Sequence, residues 1–302
     1  MLLKDRYKSR ELMMMCILNT RMELSEKERY YYQNLQKGYD GEVKFDQITD
    51  HLKEDRYIIN DLLLEVNNSY FQIDKLIISQ DGILLLDIKN FDGDFYLDSD
   101  RLYSVKTGRE CKNPIDQIKR STTLFRQLLQ NHKLNYLVEP SIIFINPEFT
   151  LYQAPMDSPF ILPTQVKRFL NNLNGTRSNL NDGHKKLAQK LISLHQTHNP
   201  YTQLPHYNYD QVQKGNYCNK CKSFHVTMKK RKFVCQKCDT QENVHDAILR
   251  NVEEFKLLFP ERKITTQSIY EWCKVDLSQK TIYRILNKHF SKLGNKRYSY
   301  YE

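Results

Sequence analysis

Charged side chains interrupt an apolar stretch, Tyr70 to Phe91 (YFQIDKLIISQDGILLLDIKNF). Tyr70–Ser79 and Ile83–Asn90 are rich in β-branched, aromatic and leucine residues, and Asp81-Gly82 between them is a hairpin turn signal. Asp87-Ile88-Lys89 follows directly on the apolar run Ile83 to Leu86. Side chains alternate faces along a strand, so Asp87 and Lys89 share one. A two-residue loop of Asp81-Gly82 sets Asp74 opposite Lys89, and a loop of Gln80-Asp81 sets it opposite Asp87. Either puts Asp74, Asp87 and Lys89 on one face, whereas a three-residue loop inverts the parity. Two close carboxylates suit a hard divalent cation, Mg2+ or Mn2+. Such an ion lowers the pKa of a bound water and stabilises charge on a phosphate. Lys89 would then orient that water or neutralise the developing negative charge, and the Ile88 backbone carbonyl is a further candidate ligand. The competing reading is a surface Asp/Lys cross-strand pair of little energetic weight. The hairpin alone leaves the two readings level.

Four of the seven cysteines form two CxxC knuckles, Cys218/Cys221 and Cys235/Cys238, thirteen residues apart. Four thiolates close a tetrahedral Zn2+ site with no open position, which makes the ion structural. The residues between are basic and β-prone, as in a zinc ribbon whose small core depends on its metal. The alternative is two unrelated redox pairs, and His225 is a spare donor that four cysteines make unnecessary. Cys16, Cys111 and Cys273 are scattered, and this usage in an intracellular chain favours metal over disulfides.

Beyond the cysteines, Thr266–Trp272 reads as a short helix, Val275-Asp276-Leu277 as a turn and Ser278 as the cap of a helix to about Phe290. Ile282, Ile285, Leu286 and Phe290 form its apolar side. Lys280, Tyr283, Arg284, Asn287 and Lys288 recur at helical spacing on one polar face. Gly294-Asn295-Lys296-Arg297 reads as the tip of a β-wing. Together these give a winged helix-turn-helix-like module whose second helix, with Lys296 and Arg297, would contact nucleic acid. The bland reading is a solvated helical face. Charge favours the first, because residues 211–302 hold 19 Lys and Arg against 9 Asp and Glu, and residues 1–210 hold 27 of each. The whole net charge of +10 therefore lies in the last third, which points to a polyanion partner.

The elements that must position these groups follow from periodicity. Residues 1–36 read as a helical lead-in, with Leu12, Met15 and Leu18 at helical spacing and Ser25 before Glu26 and Glu28 at a second helix start. Asp40 is a candidate N-cap for a helix carrying Phe45, Ile48 and Leu52. Glu42 would lie in its first turn, where a carboxylate complements the helix dipole. Tyr57–Val66 is a strand, the hairpin follows, and Asp94–Leu97 and Leu102–Lys106 are shorter strands. Asn113 caps a helix with Pro114 at its first position and Gln117 in its first turn. Its buried face is Ile118, Leu124, Phe125, Leu128 and Leu129. Val138–Ile145 reads as a strand, and Gln165–Leu170 and His184–His195 as helices. This order argues for an α/β or α+β domain over residues 37–197. A linker at 198–214, a ribbon at 215–241 and the helical module at 242–302 follow. The 302-residue chain has 40% apolar residues and no run long enough to span a membrane. No cleavage site follows Leu12–Leu18, so the expected location is cytoplasmic.

Residues of about 38–150 resemble the nuclease-related (NERD) domain, itself similar to the PD-(D/E)xK nuclease superfamily. The resemblance rests on Gly38-Tyr39-Asp40-Gly41-Glu42, Ile73-Asp74, Asp87-Ile88-Lys89-Asn90 followed by Gly93, and Asn113-Pro114 with Gln117. The lead-in Met1–Glu42 also resembles NERD proteins of Gram-positive bacteria. The resemblance implies a restriction-endonuclease-like α/β core, a mixed central sheet flanked by helices. It further implies that Asp74 and Asp87 are metal ligands, Glu42 a helix carboxylate reaching the same metal or its water, Lys89 the catalytic lysine and Gln117 the completing residue. Ile73 stands where the family motif has proline, and Asp87 where Glu is common. A Mg2+-dependent nuclease acting on DNA is the expected activity. A non-catalytic DNA-binding regulator and an RNA-processing factor are the alternatives.

Overall fold

The computed structural model describes residues 1–52, 55–295 and 299–302. In chain order its first elements are β1 (Leu2–Lys4), α1 (Arg10–Arg21), α2 (Glu26–Thr49), β2 (Tyr57–Val66), β3 (Ser69–Ser79) and β4 (Gly82–Lys89). There follow β5 (Gly93–Asp98), β6 (Arg101–Ser104), β7 (Glu110–Cys111), α3 (Pro114–Asn131), β8 (Val138–Phe144), β9 (Phe149–Tyr152) and β10 (Phe160–Ile161). Then come α4 (Pro163–Gly175), α5 (Asp182–Ser193), β11 (Val226–Lys229), β12 (Lys232–Cys235) and β13 (Gln241–Asn243). Last are α6 (Val244–Leu258), α7 (Thr266–Cys273), α8 (Gln279–His289), β14 (Lys292–Leu293) and β15 (Tyr300–Tyr301). The chain divides into two compact units, residues 1–9 with 33–202, and residues 10–32 with 203–302. Among the described residues no helix is long and apolar enough to cross a membrane.

The first unit is an α/β/α layer structure. Its six-stranded mixed sheet runs β1-β2-β3-β4-β8-β10, with β2, β3 and β4 antiparallel and β1, β8 and β10 added in parallel. One face packs Ile118, Phe125, Leu128 and Leu129 of α3 and Leu187, Ala188 and Leu191 of α5. The other packs Phe45 of α2 and Val166 and Leu170 of α4 against Ile77, Leu86, Ile88 and Ile143. Burying both faces explains why β4 and β8 read as continuous apolar runs instead of alternating ones. A smaller sheet, β7-β6-β5-β9, stands beside it. Asn113 caps α3 as expected, its side chain accepting from the Ile115 N–H, with Pro114 at the first turn.

Two expectations are corrected. The lead-in is not wholly helical, because Leu2–Lys4 forms β1 and pairs in parallel with β2. Nor does Asp40 cap a helix, because α2 runs unbroken from Glu26 to Thr49, so Glu42 lies in its interior. Gly38 and Gly41 are tolerated inside it at a cost of about 1 kcal/mol each relative to alanine. At Gly41 that cost has a steric reason, since a Cβ there would lie 2.4 Å from Cβ of Asn90, just past the end of β4. Asn90 fastens the approach by donating from Nδ2 to the Lys37 carbonyl at 2.8 Å.

The second unit is built around Arg21 of α1, whose side chain is fully buried. Its guanidinium donates to Glu254 at 2.7 and 3.0 Å, to Asn251 at 2.8 Å and to the carbonyls of Gln213 and Gly215, and it lies 4.1 Å from the Trp272 ring centroid. Residues 203–214 have no helix or strand, yet Val212 is buried and the Tyr209 ring packs on Phe259 and Trp272. β11, β12 and β13 form an antiparallel three-stranded ribbon. α7 and α8 lie in the predicted segments, with Ile282, Ile285 and Leu286 buried and Phe290 half-buried. Ser278 occupies the N-cap of α8 but bonds the Thr281 hydroxyl instead of a backbone N–H. β14 and β15 pair in antiparallel fashion. Lys296 and Arg297, read as the wing tip, lie outside the described residues.

The close approach at Gly41 yields a test. Gly41→Ala should push α2 off Asn90 and cost about 1–3 kcal/mol by overpacking. Thermal melts should show a lowered midpoint, whereas Gly38→Ala, which meets open space, should leave it equal or higher.

Candidate active site

The β3–β4 ladder closes at Ser79↔Gly82, so Gln80-Asp81 is the two-residue loop. This register selects the arrangement that sets Asp74 across from Asp87. Paired residues end at Lys75↔Leu86, and one step beyond them Asp74 Oδ2 accepts the Ile88 N–H at 2.7 Å. A side-chain carboxylate thus replaces the backbone acceptor. Across β3, Asp61 of β2 has a left-handed φ of 54°. The inward alternation slips there in both strands, from Ile59 to Leu62 in β2 and from Ile73 to Leu76 in β3. Asp87, on the same side, is buried at 6% exposure. Lys89 Nζ donates to Asp87 Oδ1 at 2.9 Å and to Gln117 Oε1 at 3.2 Å, while Gln117 Nε2 donates to Asp87 Oδ1 at 3.1 Å. Asp74, Asp87, Lys89 and Gln117 therefore come together at the ladder's end beneath the first turn of α3.

Glu42 arrives from α2 with partners that sequence reasoning missed. Arg6, just after β1, donates to Glu42 Oε2 at 2.5 Å, to Asp46 at 2.6 Å and to the Asp74 carbonyl at 2.7 Å. Lys75, buried on the α2 face, pairs with Asp46 at 2.8 Å and donates to Thr49 at 2.6 Å. The signal for Lys75 was present, because it neighbours Asp74 in an apolar strand and so must point to the opposite face. Nothing in local sequence tied Arg6 to Glu42.

The electrostatics follow from crowding acids in a dry place. Burial, and then the charge of Asp87, push the Asp74 carboxyl up to about 6 against the pull of Lys89, the Ile88 N–H and Arg6. Burial and the charge of Asp74 push Glu42 up to about 8, with Arg6 opposing. Burial would lower Lys89, but Asp87 and Asp74 outweigh it and hold its pKa above the ordinary value. Asp87 Oδ2 is buried and accepts no hydrogen bond, with the Lys89 ammonium 2.8 Å away but out of alignment. Two buried carboxylates at one ladder end, one of them with an oxygen that only an ammonium faces, are a donor set that fits a hard divalent cation. Glu42, Asp74 and Asp87 do not converge within 4.8 Å as a set of three. The Ile88 side chain turns into the core beneath α2.

Residues 37–145 match the sequence model of the nuclease-related domain, NERD. This part of the chain is a NERD domain. The match contains Glu42, Asp74, Asp87, Ile88, Lys89 and Gln117 and spans α2 to β8. No curated protein and no solved structure matches the chain. The NERD match leaves out the cysteines and α8, which stand on geometry alone. Cys218, Cys221, Cys235 and Cys238 bring their sulfurs within 4.8 Å of one another, the one such ligand group of three or more among the described residues. Their Sγ···Sγ separations of 3.5 and 3.6 Å approach the roughly 3.8 Å of a tetrahedral site with Zn–S near 2.3 Å. The cluster can hold a metal such as zinc. On α8, Lys280, Tyr283, Arg284, Asn287 and Lys288 are exposed.

Two expectations can be measured. Elemental analysis should find one zinc per chain, and Cys235→Ser should lose it and melt the ribbon, because a zinc held by the four cysteines would supply folding energy to so small a core. At the NERD site, both raised carboxyls bind protons more tightly folded than unfolded. Without a cation their stabilising contribution is full below about pH 4 and is lost as the pH climbs through about 6 and then about 8. A cation must displace those protons, so the melting-temperature gain from Mg2+ should be larger at about pH 8.5 than at about pH 6. Asp74→Asn should flatten that difference, and an equal gain at both pH values would contradict the assignment.

Proposed function

We propose that the NERD domain hydrolyses phosphodiester bonds in nucleic acid, DNA foremost, with Mg2+ or Mn2+ held by Asp74 and Asp87. The Ile88 carbonyl is a further ligand in this reading. The observation that carries it is the convergence of Asp74, Asp87, Lys89 and Gln117 at one ladder end. When bound, the cation supplies a water of lowered pKa and counter-charge for the phosphate. The chain's own residues do the rest. Lys89 stays an ammonium at neutral pH, since neighbouring carboxylates hold its pKa up. Its role is therefore to stabilise negative charge on the phosphate, not to act as a base. Gln117 fixes it by accepting from Nζ while donating to Asp87 Oδ1. Glu42, oriented by Arg6, orients the attacking water, and with its pKa raised to about 8 it accepts a proton only where a bound cation has displaced its own.

In the second unit, Lys280, Tyr283, Arg284, Asn287 and Lys288 of α8, with Lys296 and Arg297, form the nucleic-acid contact of a winged helix-turn-helix-like module. The exposed, basic face of α8 supports this, as does the excess charge of the region. The four cysteines hold a structural Zn2+.

A second reading is a DNA-binding regulator without turnover. It draws on the grip of Arg6 on Glu42, which leaves that carboxylate paired within the protein. One assay separates the two. Wild-type protein with Mg2+ or Mn2+ should cleave single-stranded or duplex DNA, while Lys89→Ala and Asp87→Asn should each lose at least about 100-fold in rate with melting curves intact. Binding without cleavage across single-stranded, duplex and branched substrates would favour the regulator. Preference for RNA at matched ionic strength would move the substrate assignment.

A further inference from the structure

The zinc ribbon carries a second group of cations that the site above does not use. β11 and β12 pair Val226↔Cys235 through Lys229↔Lys232, so Lys230-Arg231 is the two-residue tip. Four consecutive cations, Lys229, Lys230, Arg231 and Lys232, are all exposed. Among the described residues none of them forms an ion pair, and only Lys232 has a polar partner, the neutral Gln241 at 3.3 Å.

Two features of this hairpin work against its stability. Lys229 and Lys232 are directly opposed on one face of an antiparallel pair, where like charges repel. Lys230 adopts a left-handed φ of 56°, a conformation that asparagine or glycine takes at lower cost. That face also carries Thr227, Val234, Gln241 and Asn243, none of them acidic, so nothing within the ribbon offsets the repulsion. The opposite face is the packed one, with Phe233 buried and Glu242 committed to Arg250 at 2.9 Å. The hairpin thus presents a concentrated positive tip that forms no ion pair among the described residues.

We infer that the β11–β12 tip, Lys229 to Lys232, is a phosphate-backbone contact for nucleic acid, separate from the basic face of α8. This rests on the reading that the protein binds nucleic acid. The contact is assigned to phosphate because four consecutive exposed cations match the closely spaced charges of a nucleic-acid backbone. Closely spaced phosphates would relieve the Lys229/Lys232 repulsion and release counterions on binding.

The test uses full-length, zinc-loaded protein, with no divalent ion added and no chelator, and a fluorescent DNA duplex titrated at several salt concentrations. For the variant with Lys229→Gln, Lys230→Asn, Arg231→Gln and Lys232→Gln, the slope of log affinity against log salt should be shallower than wild type by about 2–4. Its melting temperature should equal or exceed that of wild type, because repulsion and left-handed strain are both removed. Lys230→Asn alone should raise the melting temperature while weakening binding, a combination that a purely structural role does not produce. An unchanged slope in the fourfold variant, with wild type binding DNA, would overturn the inference and leave nucleic-acid binding standing. Wild type that binds no DNA or RNA at any salt would overturn both. Tip-dependent binding to anionic phospholipid vesicles, with nucleic-acid binding unaffected, would reassign the surface to a membrane.

Discussion

One hydrogen bond, from the Ile88 N–H to Asp74 Oδ2 at 2.7 Å, ends the β3–β4 ladder, and the rest of the site depends on it. A backbone carbonyl at that place would have continued the sheet. A carboxylate stops it, and a single bond holds a charged group at the sheet's end. One step across, Asp87 is left with a buried oxygen that accepts no hydrogen bond. The strands splay there because Asp61 takes a left-handed conformation and the side-chain alternation slips in both β2 and β3. Opening the ladder makes room for the acids, and buried acids then need cations. Lys89 and Arg6 supply them, on the α3 side and the α2 side respectively.

Much of this was legible in the sequence, and the reasons are local. β4 and the caps of α3 follow from alternation, β-branching and an Asn-Pro pair, all written within a few residues. Register parity alone put Asp74, Asp87 and Lys89 on one face, though it could not choose between two loops. The structure has Gln80-Asp81 as the loop, with Gly82 pairing Ser79 and lying close to Leu137, where a Cβ would meet the carbonyl at 2.8 Å. What stayed hidden was non-local. The run Gly38 to Glu42 looked like a helix start because glycines usually mark ends. Its Gly41 instead answers to Asn90, some fifty residues away, and so α2 continues through it. Likewise Arg6 and β1 gain their meaning only when β2 arrives beside them. Glu42 and Gln117 could be tied to the hairpin only through the family resemblance, and the NERD match now covers all of these positions.

The second unit solves its problem differently. Its ribbon has a small apolar core beside a cysteine cluster that can hold a metal such as zinc, and a buried Arg21 joins α1, α6 and the coil before the ribbon through five hydrogen bonds. Satisfying that guanidinium fully is what makes its burial tolerable. Exposed positive charge gathers on the hairpin tip and on α8.

The central claim is that the carboxylates at the end of the β3–β4 ladder hold a divalent cation. Crystals soaked in Mn2+ and measured for anomalous scattering test it directly. The account predicts an anomalous peak within coordination distance of Asp74 and Asp87, absent in Asp87→Asn. A fully occupied lattice with no peak at those carboxylates, or one that persists in Asp87→Asn, would contradict it.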